Sequence, residues 1–161
     1  GSLAHLPAEP QQQQLLLRGI QHEERGELEE AWVCYARVLQ IDPEHADALV
    51  NMGNLEYRWG ASHRAEALYR RALRVDPDHP QANYNLANLL EERGQLEDAL
   101  LFYRKAIQEA PDFADAHFNL ARVLERLGER DEARRHWRIY LELDPQSPWA
   151  EYARSRLRDG P

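Results

Sequence analysis

The sequence predicts an all-α fold, an array of antiparallel helical hairpins with about nine helices, and three observations predict it. The first is an internal period. Pro43, Pro77, Pro111 and Pro145 stand 34 residues apart, and so do Gly26, Gly60, Gly94 and Gly128. The series Ala31, Ala65, Ala99, Ala133 and the aromatic series Tyr35, Tyr69, Tyr103, Trp137 keep the same step without an insertion. The second is apolar spacing of helical type between these marks. In the third period, Leu86, Leu89 and Leu90 fall on one helix, and Leu96, Leu100, Tyr103 and Ile107 on the next. The third is composition: 43% apolar and 30% charged residues suit a folded chain and argue against wholesale disorder.

Each recurring residue has a physical reason for its place. Proline cannot continue a helix and disfavours helix in the residue before it, so it closes the second helix of a hairpin. Glycine takes a left-handed conformation without Cβ strain, so it ends the first helix in a tight turn. The alanine five residues later lets two helices approach, and the aromatic one turn on fills the space beside that contact. A second small series, Gly19, Gly53, Ala87, Ala121, lies on the first helix and is expected to face the alanines across the hairpin. The stripes Ala48-Met52-Leu55, Ala82-Leu86-Leu89 and Ala116-Leu120-Val123 are apolar, as for a helix packed on a preceding unit. The matching positions of the first unit are polar: Gln14, Arg18 and Gln21. That polarity is expected of a terminal repeat.

These marks resemble the tetratricopeptide repeat (TPR) family over residues 12–147, in units 12–45, 46–79, 80–113 and 114–147. The third unit carries the pattern most fully, in Asn85-Leu86-Ala87-Asn88, Gly94, Ala99, Tyr103, Ala106 and Pro111. Arg18, Glu66 and Arg134 depart from it at usually apolar sites. The resemblance implies a right-handed α-solenoid whose first helices line a concave groove. Residues 1–10 read as a tag remnant (Gly1-Ser2) and a flexible lead broken by Pro7 and Pro10. Residues 148–158 read as a capping helix begun by Ser147-Pro148, with Trp149, Ala153 and Leu157 inward and Arg154, Arg156 and Arg158 in water.

The groove implied by the resemblance carries a polar ladder. Asn51, Asn85 and Asn119 share one repeat position, and Asn54, Asn88 and Arg122 share another three residues on, on the same helix face. An amide offers two donors and an acceptor, enough to hold a peptide backbone, as such ladders do in some members of the family. The alternative is that these amides bond within the hairpin. Tyr57, Tyr84 and Phe118 lie beside the ladder as candidate anchors for a partner chain, or else pack on neighbouring helices. Members that grip a peptide's terminal carboxylate use lysines where this chain has Leu16, Val50 and Gln81, so that use is not expected here.

Chemistry is expected elsewhere than in this chain. No nucleophile, acid–base pair, metal set or phosphate-binding loop emerges, so neither an enzyme nor a cofactor is expected. His45 and His79 are one period apart, in repeat loops, and His117 and His136 lie on different helices without a carboxylate set. Cys34, the single cysteine, reads as an inert, half-buried thiol and fits a reducing, cytoplasmic compartment. No apolar run approaches the roughly 18 residues of a membrane span. A net charge of −8, all of it within residues 1–113, repels nucleic acid. The expected function is a scaffold binding a protein or peptide partner. The alternatives are self-assembly into a homo-oligomer and a regulatory or sensor role in a larger protein. The second rests on Trp137 to Leu157, which resembles the end of repeat regions joined to bacterial transcription regulators.

Overall fold

The structure, a computed structural model, describes residues 7–159. Among these residues there are nine α-helices and no strand. They are α1 (Ala8–Glu24), α2 (Leu28–Ile41), α3 (Ala46–Arg58), α4 (Ser62–Val75), α5 (Pro80–Glu92), α6 (Leu96–Glu109), α7 (Ala114–Arg126), α8 (Arg130–Leu143) and α9 (Ala150–Arg158). The first eight pair as four hairpins, as the period predicts.

Every hairpin turns at its glycine. Gly26, Gly60, Gly94 and Gly128 have φ of 78°, 82°, 76° and 82°, a left-handed conformation that costs a residue with a side chain about 1–2 kcal/mol. The next residue's N–H then reaches back into the last turn. Glu27 donates to the His22 carbonyl, Ala61 to Glu56, Gln95 to Leu90 and Glu129 to Leu124, at 2.8–2.9 Å, which satisfies carbonyls the helix end would leave bare. Each second helix stops two residues before its proline. His45 and His79, in those repeat loops, cap the next helix: their Nδ1 atoms accept from the N–H groups of Ala48 and Ala82 at 3.2 and 3.1 Å.

The ends differ from expectation. The lead does not stay open as far as residue 10, because α1 begins at Ala8. Pro7 sits at its N-cap and Pro10 in its first turn, where a missing N–H breaks no intrahelical bond. The rest of that lead, residues 1–6, lies outside the described residues. The closing helix starts at Ala150, not Pro148, and Ser147 does not cap it. The Ser147 hydroxyl is instead bonded to the Tyr140 hydroxyl at 2.6 Å. This start lies two residues later than the repeat step would put it: Ala48, Ala82 and Ala116 are the third residues of α3, α5 and α7, whereas Ala150, their buried counterpart, opens α9. Helix α9 thus continues as the first helix of a further half-unit. Ala153 points inward, but Trp149 is 64% exposed. Arg156, expected in water, is half-buried and paired with Glu125 at 2.6 Å.

The chain divides into two compact bodies, Gly1–Pro77 and Asp78–Pro161. In the first body, the small residues of α1 and α3 meet the aromatic ring of the facing helix directly. A Cβ added at Gly53 would lie 2.7 Å from Tyr69 Cε1, and one at Gly19 would intrude still further on Tyr35. Each ring then anchors its hydroxyl, Tyr35 to Glu23 at 2.8 Å and Tyr69 to Asn54 at 2.7 Å. Trp32 donates its indole N–H to Glu56, a buried carboxylate of α3, at 3.2 Å. Glu66, one of the departures from the apolar pattern, forms an ion pair with Arg70 one turn on. Gln14, Arg18 and Gln21 are exposed.

In the second body, the stripes on α5 and α7 are fully buried, and Ala87 and Ala121 replace the glycines. Trp137 is completely enclosed and donates to Glu125 at 2.6 Å. Arg134, another departure, donates to the Leu157 carbonyl at 2.9 Å, at the C-terminal end of α9 where a cation is favoured. The buried His117 stacks on His136 with ring centroids 5.1 Å apart. Its Nε2 lies 2.8 Å from the Pro111 carbonyl, and its Nδ1 lies 2.9 Å from Nδ1 of His136. One tautomer set satisfies this: His117 donates from Nε2 to the carbonyl and accepts at Nδ1 from His136. Burial first, and then His117, lower the His136 pKa from 6.5 to about 4, with Arg135 and Arg104 acting the same way and Glu132 opposing.

Two predictions follow from this packing. Gly53→Ala should lower stability by about 1–3 kcal/mol through crowding against Tyr69, despite alanine's better helix propensity. Urea unfolding followed by circular dichroism measures it, and a neutral or stabilising effect would show that the ring yields. The His136 pKa is lower folded than unfolded, so the unfolded chain takes up the proton first as pH falls. The histidine contribution is therefore complete above about pH 6.5, shrinks as pH falls toward 4 and levels off below it. Urea midpoints between pH 7 and 5 should fall more steeply for the wild type than for His136→Gln; equal slopes would refute the assignment.

Candidate protein-binding face

The nine candidate residues divide between the two bodies. Asn51, Asn54 and Tyr57 lie on α3 of the first. There Asn54 accepts the Tyr69 hydroxyl and so is committed within its own hairpin. Asn51 is half-buried, and Tyr57 is 39% exposed.

The other six, Tyr84, Asn85, Asn88, Phe118, Asn119 and Arg122, lie on α5 and α7 of the second body. Asn85 accepts from the Gln81 amide at 2.8 Å on the same helix. The rest are knitted together. The Tyr103 hydroxyl is shared between Asn88 Oδ1 and Glu91 Oε1, at 2.7 Å from the latter. Asn119 uses both hydrogens of its amide nitrogen, one on Asn88 Oδ1 at 3.0 Å and one on the Tyr84 hydroxyl at 3.1 Å. Arg122 donates from Nε and Nη2 to Glu91 Oε2 at 3.0 and 2.7 Å. Burial, helped by Glu91, holds the Tyr103 phenol far above its ordinary pKa, and burial raises Tyr84 as well. Both stay neutral and keep their protons.

The ladder therefore works first as internal bonding between α5, α6 and α7. What it leaves outward is a cavity of about 270 Å³ lined by Tyr84, Asp115, Phe118, Asn119, Arg122, Tyr140 and Trp149. Four of the nine candidates line it, and Asn85 and Asn88 do not. The two proposed anchors both pack and face the cavity. Tyr84 packs tilted against Phe113 at 4.7 Å, and Phe118 meets Trp137, Tyr140, Tyr152 and Trp149 edge-on or tilted at 4.9–6.1 Å.

Sequence reasoning missed Asp115, Tyr140 and Trp149. Helical spacing puts Asp115, Phe118, Asn119 and Arg122 on one face of α7, so Asp115 was within reach of the pattern. Trp149 follows Asp115 by one 34-residue step, and reading α9 in register would have placed it. Among the described residues, no group of three or more His, Cys, Asp or Glu side chains is placed to hold a metal. None of the described helices is long and apolar enough to cross a membrane. Burial raises the Cys34 thiol above its ordinary pKa, against Arg37 and Arg18, which disfavours the reactive thiolate.

Comparison with known proteins bears on the same residues. Profiles described as tetratricopeptide repeat match residues 50–112 and 92–157, and one described as TPR repeat matches residues 23–60. No curated protein sequence matches the chain. Among solved structures, the pilF protein of Pseudomonas aeruginosa superposes with a TM-score of 0.83 at 22% identity, covering 94% of this chain and 71% of that one. MamA superposes at 0.71 and 22% identity, over 84% of this chain and 79% of its own. A tetratricopeptide repeat protein from Parabacteroides merdae gives 0.73 and 22%, over 91% and 59%. At these identities the likeness is one of fold. With three matching profiles that together run from residue 23 to residue 157, on hairpins that keep one 34-residue step, the chain belongs to the tetratricopeptide repeat family.

Proposed function

We propose that the chain is a non-catalytic module that binds an extended segment of a protein partner across the α5–α7 face of its second body. Repeats of this family commonly mediate protein–protein interaction. The observation that carries the reading is the aromatic cavity on that face, with Trp149 left 64% exposed at its edge. An exposed tryptophan beside a partly filled aromatic pocket is the kind of group that anchors a partner chain. Asn119 supports the reading in a limited way: its nitrogen is committed inside, so its carbonyl oxygen is the part left to accept a backbone N–H. The single thiol, unactivated, fits a cytoplasmic setting.

Selection of binding peptides from a random library on the intact chain tests this. Trp149→Ala should weaken the selected peptides by about 30-fold, the scale of an interface hot spot. Asn119→Ala should cost a further 0.5–1.5 kcal/mol, roughly one hydrogen bond. Circular dichroism would verify that both variants fold. Peptides that bind both variants as they bind the wild type would place the interaction elsewhere.

A further inference from the structure

The cavity's charge identifies what it takes. Two ionisable side chains of opposite sign line it, Asp115 and Arg122. They are not equivalent. Arg122 is neutralised by two hydrogen bonds to the mostly buried Glu91. Asp115 is exposed, and among the described residues it forms no ion pair and accepts no hydrogen bond. Its helix-terminal position explains why a carboxylate is tolerated there, since the first turn of α7 favours negative charge. It does not supply a counter-ion. Once Arg122 is cancelled by Glu91, the cavity presents one uncompensated negative charge.

Around that charge stand aromatic faces. Their quadrupoles attract cations, tryptophan most strongly. The protein already uses one of them in this way, with the Arg122 guanidinium 5.9 Å from the Phe118 ring centre. Trp149 and Tyr84 line the same space without a cation of their own among the described residues. The body as a whole has the same sign, because residues 78–161 hold 16 acids and 12 bases, an imbalance that draws a basic chain toward it.

We infer that this cavity receives a lysine or arginine side chain of the partner segment, held between the Trp149 and Tyr84 rings with its charge on Asp115. The inference rests on the α5–α7 face being the docking surface, and specifies what that surface selects. It gives the module a preference for basic segments.

Capped pentapeptides with two alanines on each side of a variable central residue test it. The central residue is arginine, lysine, the neutral arginine isostere citrulline, norleucine or glutamate. Each is titrated into the intact chain while the indole N–H signal of Trp149 and the amide signals of Asp115 and Phe118 are followed by NMR. Arginine and lysine peptides should shift these signals with about five-fold higher affinity than citrulline, and added salt should reduce the difference. In Asp115→Asn, whose amide spectrum reports folding, the preference should collapse to less than about two-fold. If citrulline, norleucine or glutamate binds at these signals as tightly as arginine, the cationic preference is overturned while the docking face stands. If no peptide moves them at millimolar concentration, the docking face fails and the inference fails with it.

Discussion

In the first, second and fourth repeats, one large aromatic of the second helix packs against a small residue of the first and is held there by a hydrogen bond. Tyr35 and Tyr69 lie on Gly19 and Gly53, and Trp137 packs in one cluster with Ala121. Steric fit fixes the distance between the helices, and the polar end of the ring fixes its rotation. Tyr35 reaches Glu23, Tyr103 reaches Glu91 and Trp137 reaches Glu125, each twelve residues back. The turn glycines and closing prolines then serve this contact, because they deliver the two faces to each other in register.

The candidate binding face inherits its rigidity from the same contact. Tyr103 carries Asn88 and Glu91 with it, Glu91 carries Arg122, and Asn88 carries Asn119. Tyr84, Asn119 and Arg122 of the cavity therefore stand on a pre-formed network, and little ordering of these three is left to be done on association.

Much of this was legible because it repeats. Period and residue type located the hairpins, the turns and the buried stripes, and each of these depends on spacing along one helix. The fate of the asparagines did not follow, because it depends on which hydroxyl arrives from the other helix. Asn54 and Asn88 each accept the tyrosine hydroxyl of their own hairpin, Tyr69 and Tyr103, and Asn88 also receives the Asn119 amide from the helix after it. Glu23, Glu91 and Glu125 were in view as a further series at the common step, masked by Tyr57 in the second unit. Trp149 was misplaced for a related reason. Ser147-Pro148 is a persuasive local start signal and agrees with the repeat step, yet α9 opens only at Ala150, with the Ser147 hydroxyl bonded to Tyr140 instead of capping it.

The pairing of Arg156 with Glu125 repeats that of Arg122 with Glu91, one period later. In both, a carboxylate at the end of one hairpin receives its counter-charge from the helix that follows it. A partly buried acid deprived of its base is strongly unfavourable. In these two pairs the later element supports the earlier one. Helix α9, short as it is, acts as the keystone for the fourth hairpin.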